Sequence, residues 1–274
     1  MRFRQYAVPL LTLLAACRTG RNYPGANEPR YAGAPPAGPA PASRRADTLR
    51  VVTFNVRFAI EVDSAIAVLT SAPALRDADV VLLQEMDGDG TRRVAEALGM
   101  AYVYYPAIFR RPTRRDFGNA VLSRWSIEGD AKLVLPHVSR YARTQRIATA
   151  ATIRVGDTTR VRVYSTHLGT VFDVGAAARR AQLRAILADA ERWPRVVLGG
   201  DMNSEDVGRV AVAMGYAWPT ERGPYTTPRR QRLDHVFLKG LATPNGTATA
   251  AAGVVSEIRG ASDHFAVWVI AVLR

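Results

Sequence analysis

The chain has 274 residues, 48% hydrophobic and 22% charged, a balance that suits one large globular domain or two small ones. Its net charge is +13, but the 37 basic residues include only two lysines, Lys132 and Lys239, and they are scattered rather than gathered in one stripe. That charge attracts anionic substrates or surfaces without selecting nucleic acid, and the single cysteine excludes an internal disulfide framework and a cysteine-ligated metal site.

In chain order, Arg2 and Arg4 precede an apolar run, Tyr6 to Ala16, that is too short to span a bilayer. The run ends in Leu-Ala-Ala-Cys, which resembles a bacterial lipoprotein signal; the alternative is an ordinary signal peptide with an incidental cysteine. The resemblance implies lipid on Cys17 and an extracytoplasmic protein, periplasmic or at the cell surface, anchored to the membrane. Arg18 to Thr48 holds six of the 16 prolines, with much Gly and Ala and almost no branched aliphatics. It reads as a disordered, solvated tether. The division expected is therefore a signal over 1–17, a tether over 18–48 and a folded domain over 49–274.

From Leu49 onward, short β-branched runs alternate with helical patterns. The strands predicted are LRVVTFNV, DVVLLQE, AYVYY, NAVLS, IATAATIRV, TRVRVYST, RVVLGG, LDHVFLK and HFAVWVIAVL. Helices are predicted over Arg92–Leu98 and Gly175–Glu191, the second stopping before Trp-Pro-Arg. The pattern is that of a single α/β domain.

Polar residues collect where these strands end. The stretch LGGDMNSED closes an apolar strand with Asp201 and Asn203, two positions apart and so on one face of an extended chain. They could hold a hard cation or a phosphate, or simply cap the next helix. Asn55 ends the first strand, and Gln84 and Glu85 end the second. Asn119 opens a strand, His167 ends one and Asp234 opens another; Asp263 and His264 precede the last. Each alone is an ordinary satisfied polar group. Seven such endings in one chain exceed what capping needs, and α/β sheets gather sites where strands end.

In order, FNVR, LLQEMD, FGNAVLSR, STHLG, GGDMNS, RLDHVF and SDHFAV resemble the endonuclease/exonuclease/phosphatase superfamily over about Leu49 to Leu273. The resemblance implies a four-layer α/β sandwich: two packed mixed β-sheets flanked by helices. It implies hydrolysis of a phosphate ester by metal-activated water, and oxygen ligands suit Mg²⁺, with Mn²⁺ or Ca²⁺ as alternatives. By that resemblance Glu85 is the principal metal ligand, beside Asn55, with Asp263 adding a contact. Asp201 orients or deprotonates the water, and Asn203 holds a phosphoryl oxygen. His264 acts on the phosphate as general acid/base or hydrogen-bond donor, its tautomer set by Asp234, and His167 is a second active-site histidine. Asn119 contacts the phosphate or supports His167. Arg57, two after Asn55 and so on the same face, could touch a phosphate or stand as a solvated strand-end arginine. Nuclease-type members pair that second histidine with a glutamate ahead of the GNAVLS stretch; here Asp116 is the only acid there. The expected protein is a monomer with a phosphoester substrate, nucleic acid included among the possibilities, and a membrane partner through its anchor. A secreted or anchored nuclease and a non-catalytic binding lipoprotein are the alternatives.

Overall fold

The computed structural model describes residues 20–34, 47–244 and 252–273; Cys17 and the signal lie outside them. In chain order the strands begin with β1 (Gly20–Asn22), β2 (Tyr31–Gly33) and β3 (Thr48–Asn55). Then come α1 (Val62–Ser71), β4 (Val80–Met86), α2 (Gly88–Leu98), β5 (Ala101–Arg110), β6 (Arg115–Ser123) and β7 (Ser126–Val134). The second half holds β8 (Ile147–Val155), β9 (Thr159–His167), α3 (Ala176–Ala190), β10 (Val196–Asp201) and α4 (Arg209–Val212). It closes with β11 (Asp234–Lys239), β12 (Leu241–Ala242), β13 (Ala252–Val255) and β14 (Ala266–Leu273).

Among the described residues these strands form two mixed sheets. One runs β1-β5-β6-β4-β3-β14-β12, with β2 on β5 and β13 on β14; the other runs β11-β10-β9-β8-β7. The near-continuous apolar runs predicted as strands are covered on both faces, as such runs must be. Val51, Val80 and Leu82 of the first sheet pack against Val163, Val197 and Val236 of the second. Outside the first sheet, Val68 and Leu69 of α1 and Val94 and Leu98 of α2 cover Val52, Phe54 and Leu83. Outside the second, Leu183, Ile186 and Leu187 of α3 cover Tyr164 and Leu198. The result is helix, sheet, sheet, helix: the four-layer α/β sandwich expected from the sequence.

Helix α2 shows the local logic. Asp87 caps it by accepting from Gly90 N at 2.8 Å, and Gly99 ends it in the left-handed region at φ 63°. Gly200 is required where β10 passes β9: its φ is 144°, and a Cβ there would lie 1.8 Å from Thr166 O.

The tether expected over 18–48 is corrected for residues 20–34. β1 pairs antiparallel with Ile108–Arg110 and β2 with Tyr102–Tyr104 of β5. The segment between them is held by side chains. Lys132 Nζ donates to Tyr23 O at 3.0 Å and Glu28 O at 2.8 Å, and Arg30 makes a two-pronged pair with Asp130 at 2.7 Å in both branches. The physical reason is that the strap needs no hydrophobic content of its own. It uses the open edge of β5 and polar anchors supplied from a hundred residues away.

Candidate active site

The site lies where the two sheets present neighbouring strand ends. β3 and β4 run parallel with Asn55 opposite Gln84, and β9 and β10 run parallel with His167 opposite Asp201. Asp234, at the start of antiparallel β11, is the other neighbour of Asp201. One sheet thus supplies Asn55 and Glu85, and the other His167, Asp201 and Asp234.

Two backbone features aim the side chains. Glu85 sits in a bulge of β4, where the register against β6 shifts between Leu83 and Met86, and its φ is 59°. A non-glycine residue in that region costs roughly 1–3 kcal/mol, a strain that persists at functional sites because the surroundings enforce it. After β3, Arg57, Phe58 and Ala59 all take positive φ values (36°, 58° and 50°), and this tight turn sends Phe58 N to Glu85 Oε2 at 3.0 Å.

Asn55 links the two sheets. Its Nδ2 donates to Glu85 Oε1 at 3.3 Å and to Asp201 Oδ2 at 3.1 Å, while its Oδ1 accepts from Arg57 N at 3.0 Å. Ser262 fastens the last loop to the same place by donating to Asn55 O at 2.6 Å. Beneath, Gln84 Nε2 donates to Ser165 Oγ at 3.0 Å, a second tie between the sheets.

The histidines have distinct settings. His264 Nδ1 donates to Asp234 Oδ2 at 2.8 Å, and its Nε2 lies 3.7 Å from Asp201 Oδ2. Burial alone would depress its pKa; Asp234 and then Asp201 outweigh that and hold it at about 10. His167 Nε2 lies 3.4 Å from Asp201 Oδ2 and its Nδ1 3.8 Å from Glu85 Oε1. Burial, with the positive charges of Arg146 and His264, pushes His167 well below the ordinary histidine value, so it is neutral. Burial raises Asp201 to about 7 and raises Glu85 as well.

Two enclosed carboxylates bridged by one amide fit a hard divalent cation, which would offset the burial that raises both. Asn55 turns its NH₂ toward them, so direct ligation through its Oδ1 needs the amide to rotate. Ligand atoms of Asp201, Asp234 and His264 also lie within 4.8 Å of one another. There the His264–Asp234 hydrogen bond already occupies the imidazole Nδ1, so we assign that group to proton handling and the Glu85–Asp201 side to a cation.

The remaining expected residues fall into place or out of it. Asp263 is 62% exposed at its side chain and faces Arg57 Nε at 4.0 Å, outside both carboxylate groupings. Arg57 is likewise exposed at the cleft mouth. Asn203 does not continue the strand. At φ 47° it turns back, its N donating to Asp201 Oδ1 at 2.8 Å and its Nδ2 to Leu168 O at 3.0 Å. The shared extended face expected for Asp201 and Asn203 is corrected accordingly: Asn203 orients Asp201. Asn119 Nδ2 donates to Ile147 O at 2.9 Å, and its Oδ1 is buried without a partner. It does not support His167, whose Nδ1 has no hydrogen-bond partner among the described residues. Asp116 does not take the missing glutamate's place either, because it accepts from Tyr23 at 2.9 Å and Tyr31 at 3.3 Å.

Sequence reasoning missed the cleft wall. Phe117 lies 5.9 Å from the His167 ring and 5.6 Å from Phe58, and Arg110 stacks 4.0 Å over Phe58. With Arg146 they line a recess of about 130 Å³ beside His167. Arg146 offered no signal in a chain this rich in arginine.

Comparison with known proteins agrees with this fold. The sequence profile of the Endonuclease/Exonuclease/phosphatase family matches residues 52–264. No curated protein sequence matches the chain. Among solved structures, an endonuclease/exonuclease/phosphatase from Beutenbergia cavernae is 23% identical with a TM-score of 0.65, covering 83% of this chain and 72% of its own. TDP2 from D. rerio, complexed with single strand DNA product, is 18% identical with a TM-score of 0.60, covering 81% and 98%. The human Nocturnin catalytic domain with bound sulfate anion is 18% identical with a TM-score of 0.60, covering 83% and 95%.

Proposed function

Because this chain belongs to the endonuclease/exonuclease/phosphatase family, we propose that it is a divalent-metal-dependent phosphoesterase working at an extracytoplasmic membrane surface, to which lipid on Cys17 anchors it. The observation that carries this reading is the single array in which Asn55 joins Glu85 to Asp201 while His264, paired with Asp234, faces the same Asp201 carboxylate.

A bound cation, Mg²⁺ or alternatively Mn²⁺ or Ca²⁺, would supply charge against the phosphoryl oxygens and make water a better nucleophile. The chain's own groups do the rest. Asp201, held by Asn203 N and Asn55 Nδ2, accepts the water proton. His264, protonated because Asp234 fixes its Nδ1–H, donates from Nε2 to a phosphoryl oxygen and neutralises charge developing there. Neutral His167 stands beside both carboxylates and gives a hydrogen bond to the phosphate or leaving oxygen. Arg57 is the proposed outer contact of the substrate, and Asn119, buried at 2% exposure, the proposed inner one.

The test is cleavage of bis-p-nitrophenyl phosphate, phospholipids, plasmid DNA and RNA with Mg²⁺ or Mn²⁺. Turnover abolished by EDTA and reduced by about 10²–10⁴-fold in His264→Ala and Glu85→Ala supports the reading. Turnover that survives EDTA or either substitution removes it. A nuclease acting on DNA or RNA is the competing reading, favoured by the DNA-bound TDP2 neighbour; preference for long polymers over small esters, with steep salt dependence, would select it.

A further inference from the structure

We propose that two loops next to the site, one leading into Arg146 of the recess and the other following His167, form a membrane-contact rim that seats the site on an anionic lipid bilayer. The loop through Arg140–Arg143 carries Tyr141, 73% exposed, and the loop after His167 carries Val171 and Phe172, 60% and 84% exposed. Isolated exposed apolar residues are common on any surface, but here three stand on loops fastened together by the Arg140 N–Asp173 O hydrogen bond of 2.9 Å. Around them Arg140, Arg143 and Arg21 are exposed. Asp173, the acid on the second loop, is engaged by Arg146 at 3.3 Å. Exposed aromatic tips ringed by arginines match the interface of a membrane with anionic headgroups.

The placement of the chain's N-terminal side supplies the second argument. Asn22 of β1 donates to Arg143 O at 2.9 Å and accepts from Gln145 N at 3.1 Å. The described chain therefore begins, at Gly20, beside this rim, only three residues after Cys17. An acyl chain on Cys17 and the tips of Tyr141, Val171 and Phe172 would enter the same surface, and Phe172 stands five residues beyond His167. The rim goes beyond the phosphoesterase reading in naming the surface beside the site, and it rests on that reading for the lipid on Cys17 and for what happens at the surface.

The experiment is peptide-resolved hydrogen exchange on the full chain mixed with phosphatidylcholine vesicles, with and without phosphatidylglycerol. On the anionic vesicles the amides of 139–143 and 170–173 are expected to slow about tenfold or more, as burial of an aromatic tip implies. V171S/F172S should abolish the slowing while leaving turnover of a small soluble ester unchanged. No vesicle binding, or binding with both loops exchanging as fast as in free protein, overturns the proposal. Protection of the same loops by DNA and not by vesicles also overturns it and points to a polyanion instead. The exchange measurement does not depend on turnover, so failure of the rim and failure of the phosphoesterase reading are distinguishable.

Discussion

Asp201 carries opposing demands. It is buried against Glu85 and Asp234, and its carboxyl is raised to about 7, so its ionised form is strained without a cation. Asp201→Asn is expected to abolish turnover yet raise the melting temperature of cation-free protein at pH 8, by the equivalent of roughly 1–2 kcal/mol. A scanning calorimeter checks this, and a lower melting temperature would contradict it. The pH dependence has two windows. A carboxyl raised from 3.8 to about 7 contributes stability below its unfolded value that is lost as pH climbs through about 7. His264, raised from 6.5 to about 10, contributes stability fully present below its unfolded value and lost as pH rises through about 10. Cation-free protein should therefore keep losing stability between pH 7 and 10, and Asp234→Asn should flatten that second fall. Most of this site was legible in the sequence, because strand-end polar residues survive as a pattern even where distances do not. Asp263 and Asn203 were read by position alone. Their outcome depended on a loop that turns one carboxylate outward and on a left-handed residue that ends the strand early.

Among the elements, the strands with two covered faces were legible because burial on both sides forces continuous apolar runs. Others were not. β7 reads SIEGDAKLV, polar and half-exposed, and is a strand because β8 lends it a partner. α1 is short and lacks a side-chain cap. The strap of residues 20–34 was hidden by its composition, since its anchors Asp130, Lys132 and Gln145 are distant in sequence. Lys132 is buried with its amine on two strap carbonyls. Lys132→Met should leave Glu28 O unpaired, Tyr23 O keeping the Gln145 Nε2 donor at 2.8 Å, and cost about 1–3 kcal/mol of local stability. Limited proteolysis should then cut within 20–34 faster while the core from β3 onward stays intact; an unchanged cleavage rate would show that the edge pairing and the Arg30–Asp130 pair hold the strap without Lys132.

For the whole molecule, the decisive contact is that between the two sheets. Leu82 of β4 faces Gly199 of β10 so closely that a Cβ on Gly199 would lie 2.7 Å from Leu82 Cδ1. Leu82→Ala opens a void there and is expected to cost about 2–5 kcal/mol. Because Glu85 and Asp201 belong to different sheets, activity should fall at temperatures below the unfolding midpoint of this variant. Coincident loss of activity and structure would show instead that the sheets do not loosen separately.

The strap has a consequence for reach. On the proposed lipid anchor, β1 docked at Gly20 keeps Cys17 within three residues of the sheet edge, a leash of about 10 Å. With the strap released, some 30 residues separate Cys17 from the start of β3, and the fully extended leash grows to about 100 Å. On the proposed anchor, the edge hydrogen bonds, the Lys132 contacts and the Arg30–Asp130 pair would then separate a domain confined to the lipid beneath it from one that sweeps the space above.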